Sequence, residues 1–199
     1  MGRSPASGWL LLRQLGHAGL RTTSFGYSVS RESFAQIAGR LAARVGSLLP
    51  DGKLVLVGHS LGGVLLRHAL SALGPDARRV HHLFLLGSPV QASSAAIRLG
   101  RNPVFRFATR DCGQLLGSSE RMAAVGVPQV PTTGIAGTRA IVGMRGPFGM
   151  AQNDGIVSLP EVSADWLKDQ VLVPVVHTLL PASRKVGEVI VQRLLQRGA

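Results

Sequence analysis

Hydrophobic and polar positions follow two different patterns along the chain. Continuous apolar runs of strand length occur at 54–57 (Leu-Val-Leu-Val) and within 80–86 (Val-His-His-Leu-Phe-Leu-Leu). Such runs are typical of strands buried on both faces of a parallel sheet, because neither side of the strand meets water. Elsewhere apolar residues recur every three or four positions, which predicts helices. This alternation predicts an α/β fold with a mostly parallel sheet between two helical layers.

The predicted elements are spread over most of the chain. Helices are expected over 9–15, over 34–48 with Ser30 as N-cap, over 61–73 and over 183–196. Strands are expected over 20–27, 54–57, 80–86, 132–138 and 171–177. The long connection 90–131 has weak helical patterning, and we expect it to form a small cap over a pocket. Residues 1–199 contain no repeat or domain boundary and are predicted to form one domain.

The segment Gly-His-Ser-Leu-Gly-Gly at 58–63 lies where a buried strand passes into a helix. This context is typical of the G-x-S-x-G nucleophile elbow, which holds Ser60 at the carboxyl edge of the sheet above a helix N-terminus. Gly58, Gly62 and Gly63 are predicted to relieve crowding in the turn. The alternative is a glycine-rich turn whose serine only caps the helix. The strand and helix on either side favour the catalytic interpretation.

A serine nucleophile needs a base, usually histidine, and an acid that orients the base. His177 follows a late apolar run and is expected to end the last strand, at the same sheet edge as Ser60. His68 falls inside a helix, and His81 and His82 open a strand at the opposite edge. His177 is therefore the candidate base, with a structural histidine at a strand end as the alternative.

The candidate acid is Asp154, in the loop that precedes the last predicted strand. Asn-Asp-Gly is also a common turn sequence, so the assignment depends on chain order. Glu161 is the second candidate, whereas Asp165 and Asp169 are expected to be exposed on a helical stretch. His59, next to the nucleophile, is predicted to be structural.

The charge distribution narrows the class of macromolecule that the protein is expected to bind. The chain has a net charge of +12 but only 5% aromatic residues, and its basic residues are scattered without a nucleic-acid motif. No specific nucleic-acid partner is expected. The densest basic set is expected to be a solvated helix face, with contact to an acidic partner as the alternative. It consists of Arg98, Arg101, Arg106 and Arg110.

Metals, cofactors and membrane spans are not expected. The six histidines lack metal-ligand spacing, and the lone Cys112 is predicted to be a small buried or half-buried residue. No apolar stretch reaches the ~18–20 residues of a membrane-spanning helix, so no transmembrane segment is predicted and the protein is expected to be soluble.

The order of these motifs resembles the α/β-hydrolase superfamily, and within it the bacterial lipase and esterase group. The matching segments are GHSLGG at 58–63, GSP at 87–89, IAGTR at 135–139, NDGIV at 153–157 and the late histidine. The resemblance implies Ser60 as nucleophile, Asp154 as acid, His177 as base and the Leu61 N–H as one oxyanion donor. It implies acyl transfer to water through an acyl-serine intermediate.

The beginning of the chain departs from this group. MGRSPASGW resembles the continuation of a His-Gly turn whose own strand is missing, so the sheet is expected to lack N-terminal strands. Segment 20–27 would then either pair directly with the elbow strand or leave a gap. Met1 would stand where the second oxyanion donor belongs. We expect a start further upstream rather than a shortened homologue with weak or no catalysis. The default expectation for location is the cytoplasm, which a signal peptide on a missing upstream segment would change.

The leading functional interpretation is a serine hydrolase acting on small-molecule or lipid carboxylic esters, in weak contact with an anionic lipid surface. Met144, Phe148 and Met150 are candidates for an apolar acyl pocket, with ordinary packing as the alternative. An acyltransferase would use the same constellation with an alcohol or thiol acceptor. A non-catalytic protein that binds an acidic partner through its arginines is the alternative from another class.

Overall fold

A computed structural model describes residues 8–140 and 148–196, in which four strands alternate with seven helices. The strands are β1 Leu54–His59, β2 Val80–Leu86, β3 Thr132–Gly137 and β4 Asp169–Val173. The helices are α1 Trp9–His17, α2 Phe34–Leu48, α3 Leu61–Leu73, α4 Ser94–Leu99, α5 Pro103–Leu116, α6 Ser119–Ala124 and α7 Arg184–Leu195. Most of these bounds agree with the pattern in the sequence.

The four strands form one parallel sheet in the order β1-β2-β3-β4. At the carboxyl edge His59 pairs with Leu86, and Leu86 in turn pairs with Ile135. Because the strands are parallel, the loops that follow them emerge at one edge of the sheet. The register therefore brings the ends of separate chain segments together at this edge.

Helices cover both faces of the sheet, which confirms the three-layer prediction. Leu83 and Leu85 of β2 pack in the core formed with α2 and α3. Phe84 and Leu86, on the opposite face of the same strand, pack in the core formed with α1 and α7. Successive residues of a strand point to opposite faces. A fully apolar strand is therefore the sequence that a central layer requires.

Helix α2 begins at a capping box, and its predicted N-cap was wrong. The Ser33 hydroxyl accepts from the Gln36 backbone N–H at 3.2 Å, while the Ser33 N–H donates to Gln36 Oε1 at 2.8 Å. Ser30 lies three residues earlier, with its hydroxyl 3.0 Å from that of Ser28. The reciprocal pairing of Ser33 and Gln36 satisfies two backbone groups, which a lone serine cannot do.

The last strand is shifted toward the N-terminus relative to its prediction over 171–177. Strand β4 ends at Val173, and Pro174 follows it. Proline has no N–H to donate to a sheet ladder, so the strand ends here although apolar residues continue beyond it. His177 consequently begins a 3₁₀ turn, His177–Ala182, instead of ending the strand. Asp169 opens β4 and pairs with Arg193 at 2.6 Å, so its prediction as an exposed helical charge was also wrong.

The predicted strand over 20–27 is absent, and β1 is an edge strand among the described residues. Only Tyr27 of this segment forms an isolated bridge. Segment 20–25 and the whole of β1 line a cavity of about 560 Å³. A gap thus lies beside β1, which was one of the two expectations. A β-prone sequence remains irregular when no neighbouring strand supplies the ladder.

The connection 90–131 contains the helices α4, α5 and α6. Helix α5 is kinked at Arg110, which has φ 44° and ψ −131°. Asp111 fixes the following turn, since its carboxylate accepts from Phe34 N–H at 2.9 Å and from Arg121 at 2.6 Å. That these helices act as a cap stays a prediction. Within the described ranges, no helix combines the length and apolarity needed to cross a bilayer.

Candidate active site

Ser60 lies in a strained turn between β1 and α3. Its φ of 53° and ψ of −126° are unusual for a residue with a side chain and cost about 1–3 kcal/mol. The turn is fixed by a hydrogen bond from the Ser60 N–H to the Leu86 carbonyl at 3.0 Å. The Ser60 side chain makes no capping hydrogen bond to α3, so its interpretation as a helix cap is not supported. Strain at a residue with no capping role suits a reactive side chain.

Two of the three flanking glycines are required by close packing. A Cβ on Gly58 would lie 2.5 Å from the Gly63 Cα, and one on Gly63 would lie 2.8 Å from Leu85 Cδ2. Gly62 differs, because its nearest neighbour would be the Tyr27 hydroxyl at 3.9 Å, an ordinary contact. The crowding prediction is therefore right for Gly58 and Gly63 and wrong for Gly62.

Asp154 is a buried carboxylate in the loop after β3, with 2% of its surface exposed. Its Oδ1 accepts from the backbone N–H groups of Ile156 at 3.0 Å and Val157 at 2.9 Å. These bonds close a turn that directs Oδ2 away from the loop. The aspartate is thus held by its own loop, which the Asn-Asp-Gly sequence supports by its turn preference.

His177 lies against this carboxylate and is also buried, with 5% exposure. Its Nδ1 donates to Asp154 Oδ2 at 2.8 Å, and its backbone N–H donates to the Asp154 carbonyl at 3.0 Å. Because the carboxylate accepts the proton on Nδ1, the neutral ring keeps its lone pair on Nε2. An imidazole in this tautomer can accept a proton.

His59 fixes His177 from the elbow side. Its Nε2 donates to the His177 carbonyl at 2.9 Å, and the two ring centroids are 4.7 Å apart. His177 is therefore bonded at its N–H, its carbonyl and its ring. This geometry agrees with a structural role for His59.

Gly87, which directly follows β2, connects the elbow to the Asp154–His177 pair. Leu86, its neighbour, holds the Ser60 N–H. A Cβ on Gly87 would lie 3.1 Å from both His177 Nδ1 and Asp154 Oδ2. Among the described residues Ser60 Oγ has no hydrogen bond of its own. The fold thus brings the three predicted residues to one edge of the sheet, where the hydrogen bond between His177 and Asp154 is formed.

Of the two predicted oxyanion donors, Leu61 and Met1, the structure describes Leu61. Leu61 is the first residue of α3, so its N–H has no acceptor within the helix. Met1 lies outside the described residues, as does Met144. Met150 is fully exposed, which contradicts a place in an acyl pocket, whereas Phe148 is half-buried.

The second candidate acid does not contact the histidine. Glu161 is buried, but its carboxylate accepts from the Ser158 N–H at 2.6 Å and the Ser94 N–H at 2.5 Å. It therefore ties the loop after Asp154 to the start of α4.

Arg67 is a buried cation that the sequence pattern does not predict. It donates to the carbonyls of Pro89 at 3.3 Å and Gly126 at 2.8 Å, and lies over the Trp166 ring at 5.2 Å. Burial lowers the pKa of Arg67 to about 10. Arg67 holds both ends of the 90–131 connection on α3. In the sequence it could be noticed only as an arginine within an otherwise apolar helix.

Cys112 is buried and free, as predicted. Burial raises the pKa of its thiol to about 11, so it is not an activated nucleophile. The described residues contain no group of three or more histidine, cysteine, aspartate or glutamate side chains that could hold a metal ion.

No protein-family model and no curated protein matches the chain. Comparison of structures does find similar proteins. A lipase of Bacillus licheniformis, BlEst2 in its mature form, superimposes with a TM-score of 0.76 at 16% identity, over 96% of this chain and 87% of the lipase.

Two further similar structures are a lipase and a methylesterase. A monoacylglycerol lipase of Paleococcus ferrophilus gives a TM-score of 0.58 at 16% identity, over 94% of this chain and 86% of that one. A methylesterase of Arabidopsis, MES16, gives 0.58 at 16% identity, over 96% and 92%. Identities this low establish the fold and not the activity. The chain has the α/β-hydrolase fold.

Proposed function

We propose that the protein is a serine hydrolase of carboxylic esters, similar to lipases and esterases. Ser60 is the nucleophile, His177 the general base and acid, and Asp154 the residue that orients His177. The backbone N–H of Leu61 is one oxyanion donor. The reaction uses no metal or cofactor.

The proposed reaction is acyl transfer to water through an acyl-serine intermediate. Ser60 Oγ attacks the ester carbonyl carbon, and its proton passes to His177 Nε2, which Asp154 leaves free to accept it. The carbonyl oxygen takes the negative charge and is stabilised by the Leu61 N–H. When the carbon–oxygen bond breaks, the departing alcohol takes the proton from His177. Water then attacks the acyl carbon while His177 takes its proton. His177 passes this proton to Ser60 Oγ as the acyl–oxygen bond breaks, which releases the carboxylic acid and restores Ser60.

One observation carries this proposal: a buried, hydrogen-bonded Asp154–His177 pair packs against His59, the residue that precedes a strained serine with no capping bond to its helix. A structural serine in that turn would not require strain, and a structural histidine would not require a buried carboxylate on Nδ1. The names of the structural neighbours, two lipases and a methylesterase, give further support.

The test is covalent labelling with a fluorophosphonate probe, which reacts only with an activated serine. The wild-type chain is expected to label, whereas Ser60→Ala and His177→Ala are expected not to. His68→Ala is the matched control, because His68 packs against Phe34 at 5.2 Å and not against the site. Labelling that persists in Ser60→Ala, or its absence in a folded wild type, would overturn the proposal.

The gap beside β1 favours one second candidate, a non-catalytic protein that binds an acidic partner. Among the described residues only the Leu61 N–H is placed as an oxyanion donor, and loss of one donor typically costs ~10²–10³ in rate. A folded, unlabelled wild type whose binding to anionic ligands weakens with salt would favour this candidate. An acyltransferase would instead label and then favour an alcohol over water as acceptor, which product analysis would detect.

A further inference from the structure

Helix α4, the first half of α5 and their connection form an exposed surface that the proposed chemistry does not use. Four large apolar side chains stand out from it: Ile97, Leu99, Val104 and Phe107, with exposures of 50%, 46%, 75% and 78%. Four exposed arginines alternate with them along the chain: Arg98, Arg101, Arg106 and Arg110. We call these eight residues the α4–α5 surface.

All charged side chains of the α4–α5 surface are positive. Residues 97–110 contain no aspartate or glutamate. None of the four arginines has an ion pair within the described part of the chain. The nearest acid in sequence, Asp111, is already engaged by Arg121 and by the Phe34 N–H. The surface therefore presents uncompensated positive charge.

The kink at Arg110 separates this surface from the core. Beyond it, Cys112, Leu115 and Leu116 are buried, whereas before it Val104 and Phe107 are among the most exposed apolar residues described. The positive φ of Arg110 costs energy, and the bonds of Asp111 hold the turn that follows. The exposed half of α5 is thus supported by a buried half rather than being a frayed end.

Arginines and protruding apolar side chains together match an anionic lipid surface. Cationic side chains at a membrane bind phosphate headgroups, while apolar ones enter the acyl boundary. Nucleic acid would match the charge but would leave the aliphatic side chains in water. We infer that the α4–α5 surface docks the protein on anionic lipid bilayers.

This docking would place the candidate active site near the lipid. Helix α4 follows the carboxyl end of β2 closely, and Glu161 bonds its first residue, Ser94, to the loop after Asp154. Binding does not depend on turnover, so it can be tested whether or not Ser60 is reactive.

The first test is sedimentation with vesicles of phosphatidylcholine alone or with 30 mol% phosphatidylglycerol. The wild-type chain is expected to bind the anionic vesicles more strongly. Arg101→Gln with Arg106→Gln should weaken this binding about thirtyfold, since each surface arginine contributes about fivefold. Arg78→Gln with Arg79→Gln removes the same charge at another exposed site and should weaken binding less than threefold. Equal losses of vesicle binding in the two double variants would overturn the proposal, because binding would then depend on net charge alone.

The second test separates lipid from nucleic acid. Val104→Ser with Phe107→Ser should weaken binding to anionic vesicles about tenfold or more, whereas Leu172→Ser with Leu195→Ser, at exposed positions elsewhere, should not. Binding to duplex DNA that is as tight as binding to vesicles and insensitive to Val104 and Phe107 would overturn the proposal.

A third measurement reports insertion directly. An NBD label at Phe107→Cys, in a Cys112→Ala background, should shift to shorter wavelength with anionic vesicles. The same label at Leu195→Cys should not shift. An unshifted label at position 107 on bound protein would refute docking through this surface.

Discussion

Asp154→Asn should inactivate the site without disturbing its structure. Asp154 Oδ1 accepts two backbone N–H groups and Oδ2 accepts the His177 Nδ1–H. In the asparagine variant the amide oxygen must keep facing the two N–H groups, since turning it would place donors against donors. The amide NH₂ then faces His177, which must accept at Nδ1 and carry its proton on Nε2. In that tautomer the ring cannot take a proton from Ser60.

The size of the effect follows from this reversal. A histidine held in the wrong tautomer lowers kcat about 10⁴-fold in a serine–histidine–aspartate site. This corresponds to about 5.4 kcal/mol at 1.36 kcal/mol per tenfold. Stability should change little, because the two backbone N–H groups remain bonded. Asp154→Ala should instead also lower the free energy of unfolding, by about 1–3 kcal/mol for each buried donor left without an acceptor.

The assay is the initial rate of hydrolysis of short p-nitrophenyl esters, alongside the rate of fluorophosphonate labelling and thermal unfolding. Asp165→Asn, which changes an exposed carboxylate outside the site, is the matched control and should retain wild-type rates. If Asp154→Asn retained more than a tenth of the wild-type rate while folded, the assignment of Asp154 as the orienting acid would be wrong.

Three further predictions concern packing, capping and pH. Gly87→Ala should lower activity at least a hundredfold, because its Cβ would displace the Asp154–His177 pair and its backbone φ is +51°. The control is Gly19→Ala, which also has a positive φ but lies in open space. Wild-type rates in Gly87→Ala would contradict the geometry. Ser33→Ala should lower the unfolding free energy by about 1 kcal/mol in urea titrations, since it removes the capping box of α2, whereas Ser30→Ala should not. Burial raises the pKa of the Cys112 thiol from 9.0 to about 11 in the folded chain. The unfolded chain therefore releases this proton first, so the stabilisation present below pH 9 should be lost as the pH rises toward 11. Urea unfolding should show this loss in the wild type and not in Cys112→Ala; parallel pH profiles would refute it.

Much of the fold could be predicted from local pattern. The predicted bounds of β2 match the structure, and α3 ends at Gly74-Pro75 as its stop signal indicated. These elements are determined by period and by breaker residues, which act over a few positions. The strand predicted over 20–27 failed although its residues favour β-structure, because a strand also needs a pairing partner elsewhere in the chain. Residues 174–177 continue the apolar run of β4, but Pro174 cannot donate to the sheet ladder and the strand ends before it.

The sequence by itself supplied the candidate residues, because a serine in a strand-to-helix turn, late acids and a later histidine appear in the chain order expected of a serine hydrolase. It could not determine that Asp154 and not Glu161 contacts His177, since both are buried acids in one loop and only the parallel register places Asp154 beside Gly87 and β3. Nor could it determine the bonds of His59 to His177 or of Arg67 to Gly126, which join positions 118 and 59 residues apart. Contacts at that separation depend on how the layers pack, and no local periodicity records them.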